Sequence, residues 1–440
     1  MNPTSNATRL ALKLVLIGVL TVVLWIPTLM ILVLVEERSA RQTEVQTEIQ
    51  QTWGGPQTVA GPFLVVPIDQ PSRNVNGEAV VTASEFDTRF VLPAELMVSA
   101  SVEPEIRKRS IFQTVVYRSE IRIRGRFDVS DWIELSSPHR WDRAELVIGI
   151  SDLRGLSSLP TVTSGGRDLV LEASAREELT GAALSVSLDE VVPEVGESGV
   201  IPFEMVLHLR GGESLDLVPV GGETTLTMAS EWPDPSFSGA FLPTERTVED
   251  DGFEAKWQVL HLNRDFPQSW VGARSGDHRM RCAFNDAAFG VRLLPGIDAY
   301  ARISRALKYS GIFTLLTLMA FFAVEHGSGG RVHPIQYGVV GLGLCLFYLT
   351  LLALAEISPF DLAFGAAAVV IVAFIGSYAR AVLRRGRDAG VATGVLVMVY
   401  AALFVMLRLE DLALLMGTVL LLLLLGVVMR LTTRLNRDDA

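Results

Sequence analysis

LALKLVLIGVLTVVLWIPTLMILVLV, residues 10–35, carries a single charge, Lys13. At about 1.5 Å per residue this run is long enough to cross a hydrocarbon core of about 30 Å as one helix. It predicts a first membrane span, and the rest of the chain is read from it. Arg9 and Lys13 resemble the positive end of a secretory signal, but the apolar part exceeds the roughly 7 to 15 residues of such segments. No small-x-small cleavage site precedes Glu36, Glu37 and Arg38. The run is therefore expected to be an uncleaved anchor, kinked at Pro27 inside a helical bundle.

Outward from that anchor lies a polar stretch, residues 36–308, with 41 acidic and 27 basic side chains and no apolar run of spanning length. Beyond it come five more apolar runs: Ser310 to Val324, Ile335 to Ala355, Phe360 to Ala379, Val391 to Leu407, and Leu412 to Met429. The second span is short, and Ala301 to Lys308 is expected to extend its helix. The expected division is an anchor at 1–35, a polar stalk helix at 36–56, a β-rich domain at 57–305, a bundle of five membrane helices at 306–430 and a tail at 431–440. Whole-chain composition agrees: 49% of the 440 residues are apolar, 20% are charged, and the mean hydropathy is +0.36. Such values exclude a disordered chain, and two cysteines exclude a disulfide scaffold. A net charge of −11 disfavours a general nucleic-acid binder, which needs a basic face to neutralise phosphates.

Arginine placement predicts orientation. Arg380, Arg384, Arg385 and Arg387 share one loop, and Arg430, Arg434 and Arg437 lie in the tail. Six spans with both termini cytoplasmic put these clusters inside, as the positive-inside rule requires. The large polar domain then lies on the outer side. Arg302, Arg305 and Lys308 fall on that side too, but long domains translocate largely regardless of their charge.

Glu36 to Trp53 has neither Gly nor Pro, so the first span should continue as a polar helix until Gly54, Gly55 and Pro56 stop it. Strand-like alternation follows at Phe63–Ile68, Leu96–Glu103, Phe112–Phe127, Glu145–Ser151, Ile201–Leu209, Thr224–Ala229, Phe253–His261 and Ala288–Leu294. Within Tyr117–Phe127 isoleucines alternate with arginines, which predicts one buried face and one wet face. An antiparallel sandwich or a multi-sheet β domain is expected. Cys282 in that domain and Cys345 in a span belong to no C-x-x-C pattern, and no disulfide is expected.

No H-E-x-x-H, G-x-S-x-G, Walker-type loop or dinucleotide-binding glycine fingerprint is present, so no catalytic residue and no cofactor is expected. Three polar constellations remain at the span ends. Glu325, His326, His333 and Gln336 include two imidazoles and a carboxylate, a set that suits zinc or nickel. Their spacing matches no closed metal site, and a helix-end carboxylate followed by a turn and a histidine at the next helix start is the simpler reading. Arg408, Glu410 and Asp411 sit between the fifth and sixth spans, where a salt bridge from Arg408 to one acid is expected and a proton or ion relay is the alternative. Glu356 lies between the third and fourth spans on the same side. Trp53, Trp232, Trp257 and Trp270 read as core residues of the β domain before they read as an aromatic groove.

Several segments together are specific. Glu36-Glu-Arg38, Glu48-Ile49 and Thr52-Trp-Gly-Gly-Pro-Gln-Thr-Val-Ala-Gly-Pro62 open the series, and Trp232-Pro-Asp-Pro-Ser-Phe-Ser-Gly-Ala-Phe-Leu-Pro243, Gly252-Phe-Glu-Ala-Lys-Trp257 and Phe289-Gly-Val291 continue it. Arg305-Ala-Leu-Lys-Tyr309, His333-Pro-Ile-Gln-Tyr337, Leu346-Phe-Tyr-Leu349 and Leu409-Glu-Asp-Leu-Ala-Leu-Leu415 complete it. In this order, from about residue 30 to the chain's end, they resemble the CreD family of bacterial inner-membrane proteins. The resemblance implies six spans, a large periplasmic domain, a role in cell-envelope integrity, expression under a two-component system, and altered sensitivity to β-lactams and a colicin. It carries no catalytic residue to this chain, and residues 162–200 match nothing in it. Two functions follow: a non-enzymatic envelope factor whose β domain binds a periplasmic or inner-membrane partner, or a transporter or lipid-handling bundle using Glu356, Glu410 and Asp411. The bilayer is a partner in either case.

Overall fold

The first helix, α1, runs from Pro3 to Trp53 without a break. Its end is set by Gly54, whose amide donates to the Gln50 carbonyl at 2.8 Å and whose φ of +133° is one that side chains disfavour. The computed structural model describes residues 3–68, 87–130, 139–174, 182–189, 191, 199–272, 278–293, 299–328, 332–383, 385–409, 415, 417, 418, 422 and 426. These divide into two compact units, residues 1–43 with 297–440, and residues 44–296.

In the second unit, the described residues form two sheets. One contains β1 (Gln57–Ile68), β2 (Asp87–Val91), β5 (Glu145–Ile150), β8 (Glu172–Ser174), β9 (Ala183–Ser187), β11 (Ser214–Val218), β13 (Pro235–Gly239), β16 (Ser269–Gly272) and β17 (Phe289–Leu293). Its order is β13-β17-β11-β1-β5-β9-β8, with β2 and then β16 continuing beside the far half of β1. The other contains β3 (Glu95–Arg109), β4 (Phe112–Asp128), β6 (Thr161–Ser164), β7 (Arg167–Val170), β10 (Val200–Gly212), β12 (Glu223–Ser230), β14 (Glu245–Glu249) and β15 (Gly252–Leu260), in the order β14-β15-β12-β3-β4-β10-β6-β7. Most pairs are antiparallel, but β1 with β11 and β3 with β12 run parallel, so each sheet is mixed.

Side-chain chemistry explains which faces meet. On β4, Ile121 and Ile123 are buried, whereas Arg122, Arg124 and Arg126 point outward and pair with Glu120, Glu204 and Glu95. β1 does not alternate, because Val59 to Val66 is buried almost without interruption. A strand covered on both faces reads as a continuous apolar run, and the short helix α2 (His278–Ala287) supplies one cover. Phe284 of α2 lies 5.5 Å from Phe63 and 4.7 Å from Phe266, ring centre to ring centre. Both sheets contribute to one hydrophobic core, in which Trp257 is wholly buried and donates to the Phe241 carbonyl.

The first unit contains the membrane helices. Ile17, Leu24, Thr28 and Val35 are the buried stripe of α1, while Leu12, Val22 and Met30 are exposed. Spacings of seven and four place that stripe on one helical face. After it come α3 (Ala299–Ser328), α4 (Pro334–Ala355), α5 (Phe360–Val382) and α6 (Gly386–Arg408). With α1 these are five helices, among the described residues, long and apolar enough to cross a membrane. α3 begins before Arg302 and Arg305, so it includes the basic turns that precede its apolar part. α1 seats Leu24 on Gly341 and Trp25 on Gly311, positions where an added Cβ would collide with those side chains. Small residues at such contacts let membrane helices approach closely. Of the sixth expected span, Leu412–Met429, all but five positions lie outside the described residues.

Burial holds the Asp216 carboxyl on β11 above the usual carboxylate range, and neighbouring Glu213 adds to this, although Ser214 donates to it at 2.9 Å. The fold therefore disfavours its charged form, and stability rises as pH falls from the raised value towards the unfolded one. Asp216→Asn should raise the thermal midpoint at neutral pH by about 2–4 °C, the shift that about 1 kcal/mol produces in a unit of this size. The variant should also lose this acid-side gain, measured by thermal melts of the full chain followed at the β-sheet signal.

Candidate functional site

Charged side chains of the membrane unit gather at the two ends of its helices. At one end, Glu325 near the end of α3 is 3% exposed. Its Oε1 pairs with Lys13 of α1 and accepts the Val332 amide at 2.8 Å, while Oε2 accepts the Tyr337 hydroxyl of α4 at 2.6 Å. A carboxylate taken out of water is tolerated when a cation and hydrogen-bond donors satisfy it together. Glu325 thus ties α1, α3 and α4 at one point.

Its sequence neighbours have other tasks. His333 caps α4, its Nδ1 accepting the Ile335 amide at 3.3 Å, and Gln336 accepts the His333 amide at 2.8 Å in a reciprocal capping box. His326 stacks on Phe322. Among the described residues no group of three or more His, Cys, Asp or Glu is placed to hold a metal ion.

At the other end are two ion-pair groups. Glu356, at the end of α4, faces Arg38 of α1 at 3.7 Å and accepts the Tyr300 hydroxyl of α3 at 3.5 Å. Asp361, in the first turn of α5, meets Arg408 of α6 at 2.5 Å and Arg302 of α3 at 3.8 Å. The guanidinium of Arg302 lies over Phe360 and that of Arg408 over Phe404. A salt bridge from Arg408 to Glu410 or Asp411 is expected from the sequence; among the described residues Arg408 pairs with Asp361, because α5 and α6 pack side by side and bring the start of one to the end of the other. Glu410 and Asp411 themselves lie outside the described residues. An acid in a first turn is favoured by the helix dipole, and that was the available signal for Asp361.

The two ends do not make one site. From Tyr337 to Glu356 along α4 is about 28 Å at 1.5 Å per residue. Arg38, Asp361 and Arg408 are each at least two-fifths exposed, so their pairs are screened and modest. Glu325 is the buried one.

In the β-rich unit, a cavity of about 520 Å³ is bordered by Glu103, Glu231, Glu249, Asp251 and Glu254, at one end of β3, β12, β14 and β15. None of these five acids is ion-paired among the described residues. β14 borders it as the outermost strand, exposed at all five positions. The tryptophans do not line this cavity. Trp270 stacks on Phe90, and Trp53 is approached by Arg107, Arg118 and Arg210 and donates to the Tyr117 carbonyl.

The sequence matches the family model described as inner membrane protein CreD over residues 9–437. It is 32% identical over 416 residues to the inner membrane protein CreD of Escherichia coli (strain K12), covering 94% of this chain and 90% of that one.

Glu325→Ala should lower the stability of the solubilised protein by about 3 kcal/mol, the low end for breaking a buried pair because Lys13 is about one-third exposed. The double variant Lys13→Met, Glu325→Leu should recover part of that loss. Thermal unfolding in detergent checks both.

Proposed function

The chain belongs to the CreD family and is a multi-pass inner membrane protein, and from that premise we propose that it is a non-enzymatic factor in cell-envelope integrity. Its β-rich unit engages an envelope partner from the periplasmic side, and its helices anchor it with both termini in the cytoplasm. The observation that supports this is the division of the acids. In the membrane unit Glu325, Glu356 and Asp361 are each committed to cations on neighbouring helices. In the β-rich unit five acids border a cavity without ion pairs among the described residues. The adjoining strand β14 presents one side to solvent, where an extended segment can add to the sheet by main-chain hydrogen bonds. A basic extended segment of a periplasmic or inner-membrane protein has the complementary charge. The same acidity, with a net charge of −11, disfavours nucleic acid. Orientation follows from Arg380, Arg384, Arg385 and Arg387 in one short loop.

Transport through the bundle is the competing reading, and a single strain set separates the two. In cells lacking the protein, Glu231→Lys with Glu249→Lys and Asp251→Lys should reduce detergent and β-lactam tolerance to the level of the deletion, at membrane abundance matched by immunoblot. Asp361→Asn, which keeps the side-chain shape but removes the acid, should leave tolerance unchanged. The opposite pattern would favour transport and sink the partner reading.

A further inference from the structure

The outermost strand of the second sheet, β14, reads Glu245-Arg-Thr-Val-Glu249, and all five residues are exposed. It pairs antiparallel with β15: Glu245 stands opposite Lys256, Arg246 opposite Ala255, Thr247 opposite Glu254, Val248 opposite Phe253 and Glu249 opposite Gly252. Among the described residues no strand pairs with its other side. Side chains of a strand alternate between faces. Phe253 and Ala255 are buried, so Arg246 and Val248 share the core face, where the Arg246 guanidinium lies over the Phe237 ring at 5.9 Å. Glu245, Thr247 and Glu249 share the wet face, and Thr247 and Glu249 line the acidic cavity.

An open edge is commonly guarded by a charge or two, which discourage casual pairing. The charge here exceeds a guard, because five acids without ion pairs among the described residues border the cavity beside the edge. A cleft of one sign draws in the opposite sign. A second copy of β14 does not supply it. Antiparallel self-pairing about Thr247 puts Glu245 opposite Glu249 at both ends, and like charges directly opposite destabilise a sheet. A shift of two residues one way puts Arg246 opposite Arg246, and the other way Glu245 opposite Asp251.

Resting on the reading that this unit engages an envelope partner, we propose that β14 takes up an antiparallel strand of that partner with the pattern basic, apolar, small polar, acidic, basic. These five residues stand opposite Glu249, Val248, Thr247, Arg246 and Glu245 in that order. The first basic residue meets the acids of the cavity, the apolar one covers exposed Val248, and the acidic one meets Arg246. Antiparallel pairing is the more stable of the two directions. Main-chain hydrogen bonds hold such a strand, and its alternate side chains select it.

The full chain in lipid nanodiscs, probed with the fluorescein-labelled peptide Thr-Lys-Val-Thr-Glu-Lys-Thr, tests this. The peptide should bind at least tenfold more tightly than the same peptide with both lysines replaced by glutamate, and Glu245→Lys with Glu249→Lys should remove that preference. Only alternate N–H groups of an added strand face its neighbour. Methylating the peptide nitrogens of every second residue should therefore abolish binding in one alternating set and change it little in the other. Equal effects from both sets would overturn strand addition and leave only attraction by charge, with the partner reading intact. No saturable binding would overturn the proposal too, while the tolerance of the strain set still decides the partner reading. Thiols report the register. Thr247→Cys should form a mixed disulfide with a peptide carrying Cys at its central Thr several-fold faster than with one carrying Cys at Val or Glu, whose side chains point to the other face. The unaltered chain, in which Cys282 of α2 is exposed, sets the background. A disulfide-linked homodimer of Thr247→Cys in place of the mixed disulfide would assign the edge to a second copy and overturn the proposal.

Discussion

A carboxylate inside a membrane helix bundle has few ways to exist, and Glu325 shows what one of them demands. Its two oxygens take a lysine, a backbone amide and a tyrosine hydroxyl from three separate parts of the chain. Each donor must arrive at the right depth for the charge to be tolerable. That requirement fixes the register of α1 against α3 and α4 more strictly than apolar packing does, since leucines against leucines tolerate sliding. Once α1 is in register, Leu24 meets Gly341 and Trp25 meets Gly311. At the opposite end Arg38 then comes to Glu356.

The β-rich unit solves a different problem, that of covering a long central strand on both faces. β1 is apolar almost throughout, and its neighbours change along its length, β11 beside the first half and β2 beside the second. Aromatic rings of α2 and of the strands around it close over Phe63. The second sheet has the opposite character at its centre. β3, β4 and β10 bury one face and leave the other as a lattice of alternating arginine and glutamate, in which Glu105 serves both Arg107 and Arg118. Hydrogen bonds from Arg122 hold the Glu120 carboxyl below the usual carboxylate range, with His208 adding a little, so Glu120 keeps its charge into mildly acidic pH.

The parts of this fold that were legible in the sequence are those whose signal is local. Each of the eight expected strands falls on an observed one, because alternation such as Ile121-Arg122-Ile123-Arg124 is a direct imprint of the pleat. β8, with three residues, and β13, which reads Pro-Ser-Phe-Ser-Gly, have no such imprint and are strands because a neighbour pairs with them. The two parallel pairs were equally invisible, since parallel pairing depends on crossovers rather than on any residue pattern. Among polar residues, Lys13 stood out as the one charge in the first apolar run, yet its partner lies 312 positions away. The contact of Asp361 with Arg408 leaves no mark in the sequence, because sequence distance says nothing about antiparallel helix ends.

This distribution of polar groups bears on what the bundle can do. At the end that holds Arg38, Asp361 and Arg408, water and headgroups screen the charges, so those ion pairs are inexpensive to keep and contribute mainly to alignment. Between the ends the helices meet through small residues and rings: Phe347 against Tyr400 and Phe364, Leu24 against Gly341. Among the described residues no carboxylate sits midway along α3 to α6, where secondary transporters usually place their sites. The described helices are thus joined by ion pairs at both ends and packed closely between them. The groove between α5 and α6 is the exception, a seam lined by glycine and alanine along nearly the full length of both helices.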